Sequence, residues 1–408
     1  MADGEAQLSF DERRTMSALN PVAPQPAIPR KLEVKAHVSV PLTENVPARI
    51  LLNEDAFVSM LYLERRRTER TQKRFVLVLA DVSWVMAEGS QVQTFQKLAA
   101  GACEITRETD VVGWYVEQSV IGIIGTELGN ATPKLIRERF LEKLRGVFEK
   151  NFGKEQGSTI SVSFHFYPEE PGDEDDDHSA NIALYPEIAR REARRKFAFA
   201  IKRMIDIAGS IVALVLFAPV FGLIALAVKL NSSGPVLFRQ ERLGQYGQKF
   251  RDLKFRSMLT NCDSRIHEAY VNQFIAGSAE SNLGSATDKP VFKIQSDPRI
   301  TSVGRFLRKT SLDELPQFWN VLMGDMSLVG PRPPVTYEFR AYNMWHRRRV
   351  LEIKPGITGL WQVTGRSRTR FDEMVRLDLK YARGWSIWLD LKILALTPGA
   401  VFTGDGAH

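Results

Sequence analysis

An apolar segment at residues 204–228, MIDIAGSIVALVLFAPVFGLIALAV, constrains this chain most. Its only charged residue is Asp206, and the 22 residues 207–228 carry no charge at all. About 20 apolar residues are enough for a helix to cross a bilayer. A soluble core rarely needs so long an uncharged run. We therefore predict a membrane segment, with a buried core helix as the alternative.

Pro219 lies near the middle of this segment and predicts a break in its helix. Proline lacks the N–H that an interior helical position donates, and its ring clashes with the preceding turn. Basic residues flank both ends of the segment, namely Arg203, Lys229, Arg239 and Arg242. Because cytoplasmic flanks are rich in Lys and Arg, this distribution favours a re-entrant hairpin over a straight span.

The chain has 408 residues, enough for two domains with their own cores, and its net charge of +7 favours anionic partners. Phosphate esters, anionic lipid and nucleic acid all carry the matching charge. A nucleic-acid-binding protein presents basic and aromatic residues on a soluble surface, so the apolar segment argues against that class. The two distant cysteines, Cys103 and Cys262, favour neither a disulfide nor a zinc site.

Composition divides the chain into four parts. Residues 1–49 are rich in proline and lack the apolar core of a signal peptide, so we expect a disordered lead-in. Residues 50–168 have the pattern of a globular domain. Residues 169–195 form a charged linker that contains the acidic run 173–177, and residues 196–408 form a basic unit around the apolar segment.

The globular pattern of the second part has the order βαββαβ. Apolar runs predict strands, and apolar positions that recur every three or four residues predict helices. The predicted elements are, in chain order, a strand at 74–85, a helix at 93–107, a hairpin at 109–126, a helix at 134–150 and a strand at 159–168. This order predicts an α+β sandwich with helices on one face of an antiparallel sheet.

Residues 308–333, RKTSLDELPQFWNVLMGDMSLVGPRP, place two adjacent carboxylates before an amphipathic helix. Proline is tolerated only in the first turn of a helix, so Pro316 predicts a helix start close to residues 312–313. One interpretation is purely structural. Ser311 and Glu314 match a capping box, or Asp313 is itself the N-cap.

The cations around the two carboxylates favour phosphate chemistry over capping. Capping uses one side chain, whereas Asp313 and Glu314 form a pair near Arg308, Lys309 and Arg332. Helix starts also favour phosphate. A carboxylate kept ionised by cations can attack phosphorus or hold Mg²⁺, and its neighbour can bind metal or accept a proton. The pair is therefore the candidate catalytic and metal-binding site.

Two further stretches offer substrate contacts. Residues 232–258 are basic and glycine-rich, and we expect phosphate contacts from Arg239, Arg242, Lys254 and Arg256. Binding of lipid headgroups is the alternative explanation for their charge. Residues 358–367, TGLWQVTGRS, offer Thr358, Gln362 and Arg366 as contacts to nucleotide or sugar, with a structural loop as the alternative. Residues 384–396 are either a helix on the membrane surface or a core helix.

Residues 196–408 resemble the bacterial sugar transferase family. The resemblance lies in KRMIDIAGS, SSGPVLFRQERLGQYGQKF, LKFRSM, DPRITSVGRFLRKTSLDELPQFWNVLMGDMSLVGPRP and KPGITGLWQVTGRS, in the family's order. These monotopic phosphoglycosyl transferases move a sugar-1-phosphate from a nucleotide diphosphate sugar to undecaprenyl phosphate, using Mg²⁺, and begin exopolysaccharide and related glycan assembly. The resemblance implies a mostly helical catalytic domain on the cytoplasmic face of the bacterial inner membrane.

The resemblance also implies roles for individual residues. By match to the family's motifs, Asp313 would be the nucleophile that becomes a phosphosugar ester. Glu314 would handle a proton or coordinate the metal. Arg308 would contact phosphate, Arg332 would hold the nucleotide sugar, and Pro219 would mark the break of the re-entrant membrane helix.

The N-terminal domain loosely resembles a GGDEF domain, through DVSWV and TDVVGWYVEQSVIGII. At the family's Gly-Gly-Asp-Glu-Phe turn this chain has residues 116–120, Val-Glu-Gln-Ser-Val, without the glycines or the acidic pair. The resemblance implies a degenerate regulatory or dimerisation module, so a homodimer is one expected assembly. The alternative for the whole chain is a catalytically silent membrane scaffold or nucleotide sensor, against which the intact carboxylate pair argues.

Overall fold

The computed structural model describes residues 51–83, 100–152, 161–168, 181–260, 265–277, 282–283, 290–291, 299–365 and 369–402. Several predictions fall outside these ranges. They concern the lead-in at 1–49, the acidic run at 173–177, Arg366, and the parts of predicted elements at 84–85, 93–99 and 159–160. The described residues form an N-terminal α+β domain and a mostly helical C-terminal half.

The N-terminal domain is built on a four-stranded antiparallel sheet. Its strands are β1 (Phe75–Asp81), β2 (Val111–Val116), β3 (Val120–Gly125) and β4 (Val162–Tyr167), in the spatial order β2-β3-β1-β4. Residues 100–105 are helical between β1 and β2, and helix α2 (Pro133–Phe152) connects β3 to β4. The structure thus has the predicted α+β character and βαββαβ order, in a split βαβ arrangement.

Helices cover both faces of this sheet, so the prediction of helices on one face is wrong. Helix α1 (Glu54–Thr71) and helix α3 (Pro186–Arg194) pack on one face, and α2 with residues 100–105 packs on the other. Side chains alternate between the faces of a strand. Val76 and Val78 join one core cluster, while Leu77 and Leu79 join the other. Two covered faces explain why β1 is apolar throughout instead of alternating.

The second half of the predicted linker is folded. Residues Ile182–Leu184 form a 3₁₀ turn that leads into α3. Tyr185 and Ile188 are buried in the core cluster beneath the sheet, and Glu187 forms an ion pair with the buried Arg65 at 2.5 Å. Charged residues and the buried Ile188 share one short amphipathic helix. Composition alone does not distinguish such a helix from a solvated linker.

The apolar segment forms two helices that meet at the predicted break. Helix α4 (Lys196–Leu216) and helix α5 (Ala218–Asn231) are bent by 60°, with Pro219 in the first turn of α5. No single helix among the described residues is long and apolar enough to cross a membrane, whereas this bent pair meets both criteria together. Its geometry fits a broken span or a re-entrant hairpin.

The bent pair carries its apolar side chains on the outside. Val215 is 71% exposed and Leu230 is 80% exposed, so the alternative of a buried core helix is wrong. The buried residues of α4 are polar instead, namely Lys202, Asp206 and Ser210, which recur every four positions along one face. The outward apolar surface needs a partner that the described protein residues do not supply.

The rest of the C-terminal half consists of short strand pairs and helices, some of which contact the polar face of α4. Its strands form short pairs: β5 (Leu237–Leu243) with β6 (Lys249–Phe255), β7 (Asn282–Leu283) with β8 (Pro290–Val291), and β9 (Ser327–Val329) with β10 (Gly356–Thr358). The helices in chain order are α6 (Arg265–Ile275), α7 (Ser302–Lys309), α8 (Gln317–Met323), α9 (Thr336–Arg340), α10 (Met344–Glu352), α11 (Leu360–Thr364), α12 (Phe371–Gly384) and α13 (Ile387–Phe402).

Buried hydrogen bonds fasten α4 and α13 to strand β9. Asp206 accepts from the Ser327 hydroxyl at 3.0 Å and from the Leu328 amide at 2.9 Å. Lys202 donates to Asp390 at 2.7 Å. Helix α13 has one buried side, with Ile393, and one exposed side, with Trp388 75% exposed, so burial does not decide between the two sequence interpretations.

Candidate active site

Asp313 and Glu314 lie in a 3₁₀ turn, Leu312–Glu314, between α7 and α8. Ser311 reverses the chain before this turn with a left-handed φ of 55°. Neither capping interpretation holds. Ser311 makes no side-chain cap hydrogen bond, and the N-cap of α8 is Pro316, so the α-helix begins later than predicted. The two carboxylates are therefore not used as helix caps.

Glu314 is held by a lysine from the neighbouring hairpin. Lys254, on β6, donates to Glu314 at 2.5 Å, and the Glu314 side chain is 33% exposed. Burial alone raises the pKa of Glu314. The cations Lys254, Arg332 and Arg242 outweigh that cost and hold the pKa of this carboxyl below its ordinary value. Glu314 is therefore a carboxylate across the neutral pH range.

Asp313 has the opposite electrostatic environment. It is only 9% exposed, and burial, together with the adjacent charge of Glu314, raises the pKa of Asp313 to about 6. Lys254 and Arg308 oppose this rise. Two neighbouring carboxyls with pKa values pushed apart are a pattern of functional sites. At neutral pH, Asp313 is ionised yet more basic than an ordinary aspartate, which suits a nucleophile.

Arg308 is fixed beside Asp313 by the packing of α7. Its Nε donates to the Ser257 hydroxyl at 2.9 Å. Gly304, one turn earlier on α7, lies directly on this segment, because an added Cβ would stand 2.0 Å from the Ser257 carbonyl oxygen. A glycine there lets α7 approach the backbone that follows β6 closely. The close contact thus sets the position of Arg308.

Arg332 is presented by a proline-rich loop that other residues hold through its carbonyls. Arg349 donates to the Arg332 carbonyl at 3.1 Å, and Arg242 donates to the Pro333 carbonyl at 2.5 Å. The Arg332 side chain is 42% exposed and lies 3.7 Å from Glu338. Since Arg332 also lowers the pKa of Glu314, it belongs to the same cluster as the carboxylate pair. An exposed guanidinium in this position can meet the phosphate of a ligand.

Two arginines predicted to contact substrate have structural roles instead. Arg242 is buried and pairs with Asp252 at 3.0 Å while holding the proline-rich loop. Arg256 is buried and donates to the carbonyls of Ser232 and Ser233, just beyond the end of α5. Both side chains are buried against protein partners, so the structure does not support a phosphate contact from either.

Arg239 lies on the wrong face of the β5–β6 hairpin. In the antiparallel register Lys254 stands opposite Phe238, and Arg239 stands opposite Leu253. Cross-strand partners share a face, and successive residues alternate. Arg239 is therefore exposed on the face opposite Lys254, and the predicted contact with the phosphate site is not supported.

Gln362 lies near the proline-rich loop. Its Nε2 donates to the Ile357 carbonyl at 3.3 Å, while its Oε1 is buried without a hydrogen-bond donor. A Cβ added to Gly359 would stand 2.4 Å from the Gly330 carbonyl oxygen and 3.3 Å from this Oε1. The predicted contact residue thus lies beside Gly330, two residues before Arg332. Thr358 is buried and bonds to Thr397, which is a structural role.

Three residues around the site were not predicted from the sequence. Asp252 is a buried carboxylate on the same face of β6 as Lys254, Ser257 anchors Arg308, and Arg349 anchors the Arg332 carbonyl. The two-residue spacing of positions 252 and 254 on a predicted strand could have identified Asp252. The other two depend on contacts between distant segments.

The carboxylates fit a site for Mg²⁺ that substrate completes. Among the residues that the structure describes, no group of three or more His, Cys, Asp or Glu side chains could hold a metal alone. Mg²⁺ in phosphate-transfer sites is usually held by one or two carboxylates and by substrate phosphates. Asp313 and Glu314 supply adjacent hard oxygen donors of that kind. The donor chemistry therefore fits.

One likeness to solved structures concerns the N-terminal domain. The coiled coil and GGDEF domain of DgcB from Caulobacter crescentus aligns with 29% of this chain and 64% of that chain, at 16% identity and a TM-score of 0.23. A TM-score this low adds no weight to the GGDEF-like interpretation, which stays a prediction.

The C-terminal half matches known transferases in sequence. Galactosyl transferase CpsE of Streptococcus agalactiae is 45% identical over 207 residues, 50% of this chain and 43% of CpsE. Undecaprenyl-phosphate galactose phosphotransferase of Salmonella typhimurium is 43% identical over 222 residues, 54% of this chain and 44% of the relative. The chain therefore spans less than half the length of these two relatives.

A shorter relative and a family model cover the same region. Exopolysaccharide production protein ExoY of Rhizobium meliloti is 39% identical over 208 residues, 51% of this chain and 88% of ExoY. The family model described as bacterial sugar transferase matches residues 197–404, which include the bent helix pair, the carboxylate pair and the proline-rich loop. By sequence and by the residues that form its site, the chain belongs to the bacterial sugar transferase family.

Proposed function

We propose that this protein moves a sugar-1-phosphate from a nucleotide diphosphate sugar, with UDP as the nucleotide, to undecaprenyl phosphate. This phosphotransferase reaction starts an exopolysaccharide or related glycan on its lipid carrier. One observation carries the proposal: Asp313 and Glu314 are held together among Lys254, Arg308 and Arg332 in a member of this family. The name of the Salmonella relative, undecaprenyl-phosphate galactose phosphotransferase, supports the reaction class, and the name of ExoY supports a part in exopolysaccharide production.

In the first step, a carboxylate oxygen of Asp313 attacks the phosphorus nearest the sugar. An O–P bond forms to Asp313, and the bond from that phosphorus to the bridging oxygen breaks. The bridging oxygen leaves with the electron pair as part of a nucleoside monophosphate. The raised pKa of Asp313 supports this role, because a more basic carboxylate is a stronger nucleophile.

In the second step, an oxygen of undecaprenyl phosphate attacks the same phosphorus. The bond to Asp313 breaks, the carboxylate is restored, and the product is a lipid diphosphate sugar. Both steps bring anions together, so cations must offset their repulsion. Lys254, Arg308 and Arg332 supply positive charge around the carboxylate pair. Glu314, already ionised, orients Lys254 through their ion pair.

We assign Mg²⁺ to the same carboxylates. When bound, the ion supplies positive charge to the phosphates of the donor. Asp313 and Glu314 are the residues that would hold it. Glu314 has the lower pKa of the two and so remains available as a metal ligand where Asp313 is protonated.

We place the protein on the cytoplasmic face of the bacterial inner membrane. The outward apolar side chains of α4 and α5, and the exposed Trp388 on α13, support contact with lipid. A lipid-linked acceptor stays in the bilayer, so an enzyme that uses it must work at the surface. The bend at Pro219 lets both ends of the hairpin return to one side.

A turnover assay with purified protein in vesicles that contain undecaprenyl phosphate tests the proposal. Release of nucleoside monophosphate is measured over a panel of UDP-sugars with Mg²⁺. We expect one or more sugars to give turnover, and Asp313→Asn to reduce it by more than about a thousandfold. Glu373→Gln, an exposed acid on α12, is the matched control and keeps activity. Equal turnover of Asp313→Asn and wild type would contradict the nucleophile.

A second candidate function concerns the N-terminal domain alone. A cavity of about 450 Å³ lies between α2 and the end of β3, lined by apolar side chains, by three cations, Arg107, Arg139 and Lys143, and by one carboxylate, Asp110. These features favour a nucleotide-like anion and give the nucleotide-sensor alternative an observation of its own. Calorimetry with a panel of nucleotides tests it. Arg139→Ala should abolish binding and Arg145→Ala, on the same helix outside the lining, should not.

A further inference from the structure

Helix α3 lies between the N-terminal domain and two elements that hold the loop presenting Arg332. One side of α3 is fixed to the N-terminal domain. Ile188 is buried in the core cluster under the sheet, Glu187 pairs with Arg65, and Arg190 pairs with Glu54 and Asp55 on α1. This side of the helix is therefore part of the packing of the N-terminal domain.

The other side of α3 contacts the catalytic half. Glu192 accepts a hydrogen bond from the Tyr246 hydroxyl at 2.7 Å and another from the Gln245 side chain at 2.9 Å, both with the same oxygen. Arg191 donates to the Glu352 carbonyl at 3.0 Å. Gln245 and Tyr246 form the turn between β5 and β6, and Glu352 ends α10. Two separate elements of the catalytic half thus meet one helix of the N-terminal domain.

Both of these elements hold the proline-rich loop. Strand β5 reaches it immediately before the turn, where Arg242 donates to the Pro333 carbonyl and the Leu243 amide donates to the Pro334 carbonyl at 2.9 Å. Helix α10 reaches it through Arg349, one turn before Glu352, which donates to the Arg332 carbonyl. The contacts run from α3, through the turn and α10, to three successive carbonyls.

The composition of the loop makes these contacts necessary. Residues 331–334 are Pro-Arg-Pro-Pro, and proline has no N–H to donate. A loop with so few donors of its own is positioned by the groups that reach its carbonyls. Tyr246 also adopts a left-handed φ of 61°, so the turn that carries it holds a conformation that external contacts must stabilise.

We propose that Glu192 is a positioning residue for the nucleotide sugar, acting through Tyr246 and Gln245 on the loop that carries Arg332. The N-terminal domain thereby sets the affinity of the catalytic half for its donor. This inference rests on the proposed function, because the ligand of Arg332 is taken to be the phosphates of the donor. Glu192 touches no reacting atom, so it changes binding of the donor more than the chemical steps.

Steady-state kinetics with matched variants test the inference. Glu192→Ala removes the acceptor of two hydrogen bonds, and we expect the KM for the nucleotide sugar to rise about five- to tenfold with kcat changed less than about twofold. Glu192→Gln keeps an acceptor oxygen and should restore most of the affinity. Tyr246→Phe should raise KM in the same direction, and its effect should not add fully to that of Glu192→Ala.

Arg190→Ala is the matched control. It removes ion pairs from the same helix, but its partners Glu54 and Asp55 both belong to the N-terminal domain. We expect an unchanged KM. A KM that rises equally in Arg190→Ala and Glu192→Ala would show a general loss of structure and overturn the inference. An unchanged KM in folded Glu192→Ala would overturn it as well.

Hydrogen–deuterium exchange separates this inference from the proposed function. Peptides that contain Leu243 and Val335 should exchange faster in Glu192→Ala than in wild type, and at the wild-type rate in Arg190→Ala. This measurement needs no turnover. Absence of turnover with every sugar would contradict the proposed function, while the exchange rates would still test the positioning role of Glu192. Unchanged exchange rates in Glu192→Ala would contradict that role even where turnover is found.

Discussion

The two halves of the chain distribute charge in opposite ways. The N-terminal domain buries apolar side chains, such as Val76, Leu77 and Val78 of β1, between helices on both faces of its sheet. The C-terminal half buries ion pairs, such as Arg349 with Asp378 at 2.7 Å, and turns the apolar side chains of α4 and α5 outward. The N-terminal domain has an apolar interior, whereas α4 and α5 of the C-terminal half have apolar exteriors and α4 has a polar buried face.

The difference shows what each half relies on for its structure. Burial of apolar surface stabilises the N-terminal domain directly. A buried charge instead costs free energy unless it is paired and hydrogen-bonded, so the C-terminal half depends on the completeness of its ion pairs as well as on its own apolar clusters. The same buried pairs hold the residues that surround Asp313. Catalytic geometry and stability are therefore linked in the C-terminal half, whereas in the N-terminal domain only the side that carries α3 contacts the elements that hold the donor site.

The largest expected effect is the loss of a buried ion pair. Asp378→Ala leaves the guanidinium of Arg349 buried without its carboxylate, and we expect a loss of about 3–5 kcal/mol in the free energy of unfolding. Chemical denaturation in detergent measures it. Glu241→Ala breaks the exposed pair with Lys249 and should cost no more than about 1 kcal/mol. Equal losses in the two variants would show that the buried ion pair contributes no more to stability than the exposed one.

A cavity in the N-terminal core gives the next effect. Leu144 of α2 is buried in the cluster on the face of the sheet that α3 does not cover. Leu144→Ala should destabilise the N-terminal domain by about 2–5 kcal/mol. Because the site residues lie in the other half, turnover below the melting temperature should stay near the wild-type value. A loss of turnover in the still folded variant would show that the catalytic half also depends on the face of the sheet that α3 does not cover.

The outward apolar surface predicts a change in membrane binding without a change in stability. Leu223→Asn on α5 should weaken binding to vesicles of anionic phospholipid, because it places an amide in contact with acyl chains. Leu63→Asn, at an equally outward position of α1, is the control and should leave binding unchanged. Flotation of the variants with vesicles measures both. Undiminished flotation of Leu223→Asn would contradict lipid contact at α5.

The smallest effect concerns pH. Burial and Glu314 raise the pKa of Asp313 to about 6, so turnover should fall as the pH drops through about 6 and the nucleophile becomes protonated. Lys254 opposes that rise, so Lys254→Met should move the acidic limb of the pH profile to higher pH. Initial rates from pH 5 to 8 measure the acidic limb in wild type and in Lys254→Met. A limb that does not move in Lys254→Met would separate Lys254 from Asp313.

Stability has the opposite dependence on this group. The folded protein binds the proton of Asp313 more tightly than the unfolded chain does. Stability attributable to Asp313 is therefore present at acidic pH and is lost as the pH rises towards about 6. Asp313→Asn should consequently be as stable as wild type or more stable at neutral pH, while inactive. A strongly destabilised Asp313→Asn would assign Asp313 a structural role.

Short sequence patterns correctly predicted those elements whose position depends on neighbouring residues in the chain. Pro219 identified the break between α4 and α5, and the apolar pattern identified α2 and the hairpin of β2 and β3. The sequence also predicted that Asp313 and Glu314 lie among cations, and the structure places Lys254, Arg308 and Arg332 around them.

The failed predictions depend on contacts between distant segments. Arg239 and Lys254 are both basic, and only the register of β5 against β6 places them on opposite faces. Arg256 looks like a phosphate ligand until the end of α5 provides carbonyls for it. Helix α3 looks like a linker because its burial needs the sheet of another segment. Composition carries no information on these contacts.

Mass spectrometry of the enzyme mixed with nucleotide sugar, without lipid acceptor, tests the role of Asp313 most directly. With no second substrate, the sugar phosphate should stay on the protein, and the peptide that contains Asp313 should gain the mass of one hexose phosphate or N-acetylated equivalent. The gain should disappear when undecaprenyl phosphate is added. The same adduct on Glu314, or turnover with no adduct on any residue, would contradict the proposed mechanism.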